Sequence, residues 1–239
     1  MRAQSSNDGI AIGGELAGKA VYRIVCADTN NYGTAWGHRS GRILTAEHVI
    51  RGCNIKQLVI LDSTGAKTAV ESIESDDDLD LALLRPSVGG FVQEGFTVTD
   101  RPTFKVGEPV STWGFPEGYS GKRSLVSGGY ISGFQSEKSK SGRTITKWVV
   151  NGAFNHGNSG GPVLELKNAG VIGIVTSKLT PFQDKLAEQL SLLEKGSSAN
   201  ERLLINSIQI LQHNMQIAIG FCTMTSDLKV FLKSKHINP

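Results

Sequence analysis

The stretch Phe154-Asn155-His156-Gly157-Asn158-Ser159-Gly160-Gly161-Pro162 constrains this chain more than any other. Three glycines around one serine permit backbone angles that side chains resist, so the segment reads as a tight turn presenting Ser159. In such a turn the N–H groups of Gly157 and Ser159 can converge on one point. Two convergent donors beside a hydroxyl nucleophile form an oxyanion hole, and losing one typically costs ~10²–10³ in turnover. Most glycine-serine-glycine turns are structural or hold an anion, so the reading depends on a histidine and an acid elsewhere in a compatible order.

Both stand upstream. The run Gly33–His38, the short apolar pair Ile43-Leu44 and Thr45-Ala46-Glu47-His48 read as a β-hairpin whose second strand delivers His48 at its end. Further on, Asp76-Asp77-Asp78-Leu79-Asp80 leads into Leu81-Ala82-Leu83-Leu84-Arg85, an acidic patch entering a buried strand. A run of carboxylates is most often solvated, and Asp76, Asp77 and Asp78 compete with Asp80 for the histidine. Asp80 is preferred because the buried strand begins directly after it, with Asp78 as the alternative. The order His48, Asp80, Ser159 is then the His…Asp…Ser order of the chymotrypsin group.

Four segments resemble the trypsin-fold serine proteases, and among them the HtrA/Deg-like bacterial branch: GTAWG…ILTAEHVI, DLDLALLR, STWGFPEGY…LVSGGYISGF and NGAFNHGNSGGPVLELKNAGVIGIVTS. A weaker match, IAIGFCTMTSDLKVFL, is similar to the family's last strand and closing helix. The resemblance implies an all-β fold of two six-stranded antiparallel β-barrels. It implies that Ser159 attacks a scissile carbonyl, that His48 takes the proton, and that Asp80 orients the imidazole. Gly157 and Ser159 would supply the oxyanion hole. Val175, Thr176 and Ser177 would pair with the substrate backbone, and Ala153 would form the base of the S1 pocket, favouring a small or medium apolar residue before the scissile bond. Asn158 stands where zymogen-activated relatives carry an aspartate, so no activation by zymogen cleavage is expected, and Ile10–Gly14 reads as an ordinary glycine turn. The chain ends too soon after its closing helix for the PDZ domain of many relatives.

Length and composition agree with one such domain. The chain has 239 residues, 28 glycines and a net charge of +3, which fit many tight turns and no strongly charged partner. The basic segment Lys138–Lys147 lacks interleaved aromatics for base stacking and reads as an exposed loop, not a nucleic-acid site. The histidines, His38, His48 and His156 included, lack zinc-ligand spacing, so no metal and no cofactor are expected. Cys26, Cys53 and Cys222 cannot all pair; free thiols in a reducing compartment are the simpler reading. The polar N-terminus and the lack of any apolar run of membrane-spanning length point to a cytoplasmic protein without membrane association.

The expected organisation is a flexible arm at 1–17, then a protease domain at 18–239. The domain comprises a first barrel at 18–88, a second at 104–235 and a closing helix at 226–234. Leu186, Leu190 and Leu193, then Leu204, Ile208 and Leu211, recur at helical spacing and predict a helical hairpin inserted at 182–214. The functional expectation is a serine endopeptidase acting through an acyl-enzyme on Ser159, with a protein or peptide substrate and regulation by a partner protein or a conformational change. The alternative is a catalytically inactive trypsin-fold peptide-binding module or a partner-gated effector protease.

Overall fold

Twelve short strands, most with continuous or alternating buried positions, close into two barrels in the computed structural model, which describes residues 6–178, 198, 202–203, 205–208 and 218–239. The first barrel comprises β1 (Val21–Cys26), β2 (Asn31–Gly37), β3 (Ile43–Thr45), β4 (Leu58–Leu61), β5 (Lys67–Asp76) and β6 (Leu81–Pro86). Its neighbour order is β1-β2-β3-β6-β5-β4, sealed where Arg23–Cys26 pair with Leu58–Leu61. The second comprises β7 (Pro109–Gly114), β8 (Leu125–Lys138), β9 (Thr144–Gly152), β10 (Pro162–Glu165), β11 (Val171–Lys178) and β12 (Ile219–Thr223), in the order β10-β11-β12-β9-β8-β7. Both barrels are antiparallel, and their closure pairs each strand on two sides over at least part of its length.

Each barrel encloses its own core, Ile24, Ile43, Leu58, Ile60 and Leu84 in the first and Ile131, Trp148, Val163, Ile172 and Val175 in the second. A third cluster joins them, containing Trp36, Leu81, Phe96, Phe115, Leu164, Val171, Phe231 and Leu232. Each such large side chain, fully buried, contributes roughly 1.5–3 kcal/mol, so the two barrels form one packed unit. The crossover between them is stitched to both. Phe96 N–H donates to Gly37 O at 2.8 Å, and Val171 N–H donates to Thr97 O at 2.9 Å. A C-terminal helix spans Thr225–Ser234 and buries Leu228, Phe231 and Leu232. No helix of the described residues is long and apolar enough to cross a membrane.

Three expectations are corrected. The segment read as a flexible arm with a glycine turn at Ile10–Gly14 is a helix, α1 (Ser6–Ala20). Its Gly13, Ala17 and Ala20 lie at i, i+4 and i+7. The missing side chains let the helix approach Leu164 and Trp113, where a Cβ on Gly13 or Gly14 would come within 3.3 or 3.0 Å. Close packing outweighs the ~1 kcal/mol that each glycine costs a helix. Second, Cys26 and Cys53 form a disulfide, leaving Cys222 as the buried free thiol. The barrel brings the end of β1 beside the loop before β4, a proximity that cysteine spacing does not encode. Among the described residues, one cluster, Cys26, Asp28 and Cys53, gathers metal-ligand atoms, and its two sulfurs are bonded to each other. Third, the segment read as an exposed loop at Lys138–Lys147 is the end of the β8–β9 hairpin: β9 begins at Thr144, and Ser139 N–H donates to Arg143 O at 2.8 Å across a tight turn. The expected hairpin at 182–214 lies outside the described residues apart from Ser198 and the helical positions 202–203 and 205–208.

Candidate active site

His48 is not at a strand end but on α2 (Glu47–Ile50), a single helical turn that begins two residues after β3. Ala46 at the helix start has no side chain with which to cap, so the first N–H groups need partners from elsewhere. Asp80 supplies them. Its carbonyl accepts from Glu47 N–H at 3.2 Å and its Oδ1 accepts from His48 N–H at 2.8 Å. The other carboxylate oxygen, Oδ2, lies 2.7 Å from His48 Nδ1. One carboxylate thus fixes both the backbone and the ring of the histidine. With the Nδ1 proton directed at the carboxylate, Nε2 is left as the acceptor. Asp80 adopts the left-handed conformation (φ 55°), uncommon outside glycine, which holds its side chain against α2.

The other acids go elsewhere. Asp76 Oδ1 accepts from Leu79 N–H at 2.9 Å within the turn. Asp78 accepts from the Ser141 hydroxyl across the crevice, tying the β5–β6 turn to the β8–β9 hairpin, and this contact holds its carboxyl below the usual range. Asp78, the alternative partner for His48, is therefore engaged with the second barrel.

In the second barrel, Ser159 is half-buried in the turn between β9 and β10. Gly157 and Gly160 both have φ 86°. Gly160 has a second reason to be glycine, because a Cβ there would lie 2.1 Å from Thr34 O and 2.9 Å from Ala46 N. The serine turn therefore rests directly on the segment that leads into His48. Thr34, fully buried on β2, is the joint. Its N–H donates to Ser159 O at 2.9 Å, and its hydroxyl donates to Gly157 O at 2.6 Å and accepts from Phe115 N–H at 3.0 Å. The hydroxyl of Thr45, three residues before His48, donates to Thr34 O at 2.7 Å. Sequence reading missed Thr34, whose signal is only a hydroxyl residue inside an apolar strand. Among the described residues, neither Gly157 N–H nor Ser159 N–H donates to a backbone carbonyl.

Val175 exchanges hydrogen bonds with the serine turn: Gly160 N–H donates to Val175 O at 2.8 Å and Val175 N–H to Gly161 O at 3.0 Å. Pairing of β11 with β10 runs only to Ile174, whereas pairing with β12 continues to Lys178. Thr176 is buried with its hydroxyl donating to Phe221 O at 3.1 Å, and Ser177 is exposed. Among the described residues, positions 176–178 thus pair with a strand on one side only. Ala153, expected at a pocket base, is exposed, and its carbonyl accepts from the Asn158 amide at 3.2 Å. The adjacent Phe154 is buried instead, its ring against Gly220 of β12, where a Cβ would lie 2.3 Å away.

A double barrel that holds a His–Asp pair, with a glycine-framed serine turn seated against the segment leading into that histidine, has the architecture of the trypsin-like peptidases. A family model described as "Trypsin-like peptidase domain" matches residues 32–174, and the chain belongs to that family. It is 33% identical over 143 residues to the magnetosome formation protease MamE of Paramagnetospirillum magneticum, covering 59% of this chain and 19% of that protein. It is 32% identical over 152 residues to the chloroplastic Protease Do-like 1 of Arabidopsis thaliana, covering 62% and 33%. The chain therefore spans between about a fifth and a third of the length of these relatives. Among solved structures, the active form of the Rv3671c protease of M. tuberculosis superposes with TM-score 0.66 at 17% identity, covering 98% of this chain and 87% of the other. The serine endoprotease of Yersinia pestis gives 0.63 at 19% identity, covering 98% and 67%. At these identities the superpositions show the shared fold.

Proposed function

We propose that this chain is a serine endopeptidase. The observation that carries the reading is the two-pronged grip of Asp80 on His48, set across the crevice from a serine turn with two available N–H groups. In this reading the Ser159 hydroxyl attacks the scissile carbonyl while His48 Nε2 removes its proton. Asp80 holds the ring orientation and stabilises the imidazolium that forms. The tetrahedral oxyanion is held by Gly157 and Ser159 N–H. The intermediate collapses to an acyl-enzyme as the protonated imidazole returns its proton to the leaving amine, and water then repeats the sequence in reverse roles.

A polypeptide substrate adds as a strand to the 176–178 edge, which gives affinity with little sequence preference. Phe154 fills space behind that edge, and among the described residues no acid is placed against it to attract lysine or arginine, so a small or medium apolar residue before the scissile bond is preferred. The test is labelling by a fluorophosphonate, which needs an activated serine and an oxyanion hole but little substrate recognition. Labelling that disappears in Ser159→Ala is expected. Absence of labelling of the folded native chain would contradict a preassembled site.

A further inference from the structure

A cavity of ≈ 420 Å³ opens beside the serine turn, lined by Arg23 and Val25 of β1, Tyr32 of β2, and Phe115, Pro116 and Tyr119 after β7. Two hydrogen bonds seat that loop on the catalytic turn and on the threonine beneath it. Glu117 N–H donates to His156 O at 2.7 Å, and Phe115 N–H donates to the Thr34 hydroxyl at 3.0 Å, itself bonded to Gly157 O. The cavity loop and the β11 edge therefore meet opposite ends of the turn, the loop at His156 and Gly157 and the edge at Gly160. A substrate paired along 176–178, with its carbonyl at the Gly157 and Ser159 N–H groups, continues beyond the scissile bond towards the cavity.

Arg23 gives the cavity its chemistry. It stands opposite Thr34 in the β1–β2 register, and facing residues in such a pair have Cα atoms ~4.5–5.5 Å apart. Thr34 N–H in turn reaches Ser159 O at 2.9 Å, so roughly two residues of extended peptide, at ~3.3–3.6 Å each, bridge the distance. The guanidinium is held in place by Tyr119 O at 2.8 Å and Gly121 O at 3.2 Å, and lies 4.9 Å above the Phe115 ring. These partners are neutral. The nearby Glu117 interacts with the Tyr32 phenol, which burial and then that carboxylate push upward and Arg23 pulls down.

We infer that this cavity selects a carboxylate on the leaving-group side of the scissile bond, with Arg23 as the specificity residue. The carboxylate is an Asp or Glu side chain two residues beyond the bond, or the terminus of a chain ending there. Both carbonyls take their hydrogens from Nη2, which leaves Nη1 and Nε to donate charge-assisted hydrogen bonds to a carboxylate, stronger than those to a neutral amide and impossible to an amine. The inference deepens the peptidase reading and rests on it for the direction in which the substrate runs.

The experiment uses quenched fluorescent peptides identical except for Glu, Gln or Lys two residues beyond the cleaved bond, and a further pair ending there as free acid or amide. Turnover is measured with the native chain and binding with Ser159→Ala. A preference for Glu over Gln of about fivefold in kcat/KM and in Kd, with Lys weakest, is expected, which is ~1 kcal/mol. Arg23→Gln should erase the preference and Arg23→Lys restore part of it. If the acid–amide pair shows the effect and the Glu–Gln pair does not, the chain terminus is the ligand. Equal affinities of the native-sequence cavity for every member of both pairs, or no binding of any, overturn the proposal without reference to the Arg23 variants. A Glu preference in Ser159→Ala, combined with no fluorophosphonate labelling of the native chain, would leave the cavity standing and remove the peptidase reading.

Discussion

Replacing Thr34 by valine isolates one hydroxyl that spans the barrel interface. The substitution keeps the shape of a fully buried side chain and leaves the backbone bond from Thr34 N–H to Ser159 O in place. It removes the donor to Gly157 O and the acceptor of Phe115 N–H, at 2.6 and 3.0 Å. Each orphaned buried group costs ~1–3 kcal/mol, so the loss is about 3 kcal/mol. For a chain of this size that corresponds to a fall in Tm of ~6–12 °C. The same change releases the Gly157 carbonyl and so loosens the residue whose own N–H is one of the two proposed oxyanion donors, and misplacing one donor costs up to ~10²–10³ in rate. Thermal melts and the rate of fluorophosphonate labelling read the two effects separately. Thr34→Ser, which retains the hydroxyl, should recover most of both. A valine variant that melts within about 2 °C of the native chain and labels at an unchanged rate would refute the assignment of Thr34 as the joint of the site.

Asp80→Asn should lower kcat/KM by ~10⁴ through the wrong histidine tautomer, while Asp78→Asn, which touches only the Ser141 hairpin, lowers it far less; comparable losses in the two would reassign the acid. His38 offers a test of pH dependence. It is fully buried, its Nδ1 accepts from Ser40 N–H at 3.2 Å, its Nε2 has no partner among the described residues, and burial followed by the Arg39 charge lowers its pKa to about 4. Below about pH 6.5 the unfolded chain therefore takes up a proton that the folded chain refuses. The stability this group contributes is complete above pH 6.5 and is lost as pH falls towards 4, by up to about 3 kcal/mol. Denaturant midpoints measured from pH 7 to 4 should fall less steeply in His38→Phe than in the native chain, and parallel slopes would show that another group sets the dependence.

The barrels, His48, Asp80 and the serine turn were legible because each leaves a local mark: short apolar runs, an acid directly ahead of a buried strand, glycines around a serine. What escaped is long-range. Thr34 acts on Gly157 and Phe115, 123 and 81 residues away. The disulfide closes a separation of 27 residues that only barrel closure makes short. Phe154 rather than Ala153 fills the space against β12, because which of two neighbouring residues turns inward depends on the path of the turn and not on composition. For α1, local propensity argued the wrong way: its glycines disfavour a helix in isolation, and the surface that rewards them belongs to residues 113, 164 and 169.

That last dependence sets a timetable. Helix α1 is synthesised ahead of both barrels, yet side chains against which it closes, Leu164 and Ala169, emerge roughly 150 residues later, on the order of 10–30 s at ordinary translation rates. Through that interval β1 can pair with β2 and β4 while the helix just ahead of it meets only the first-barrel half of the cluster it joins. Complete docking of α1 thus marks the point at which the second barrel has formed.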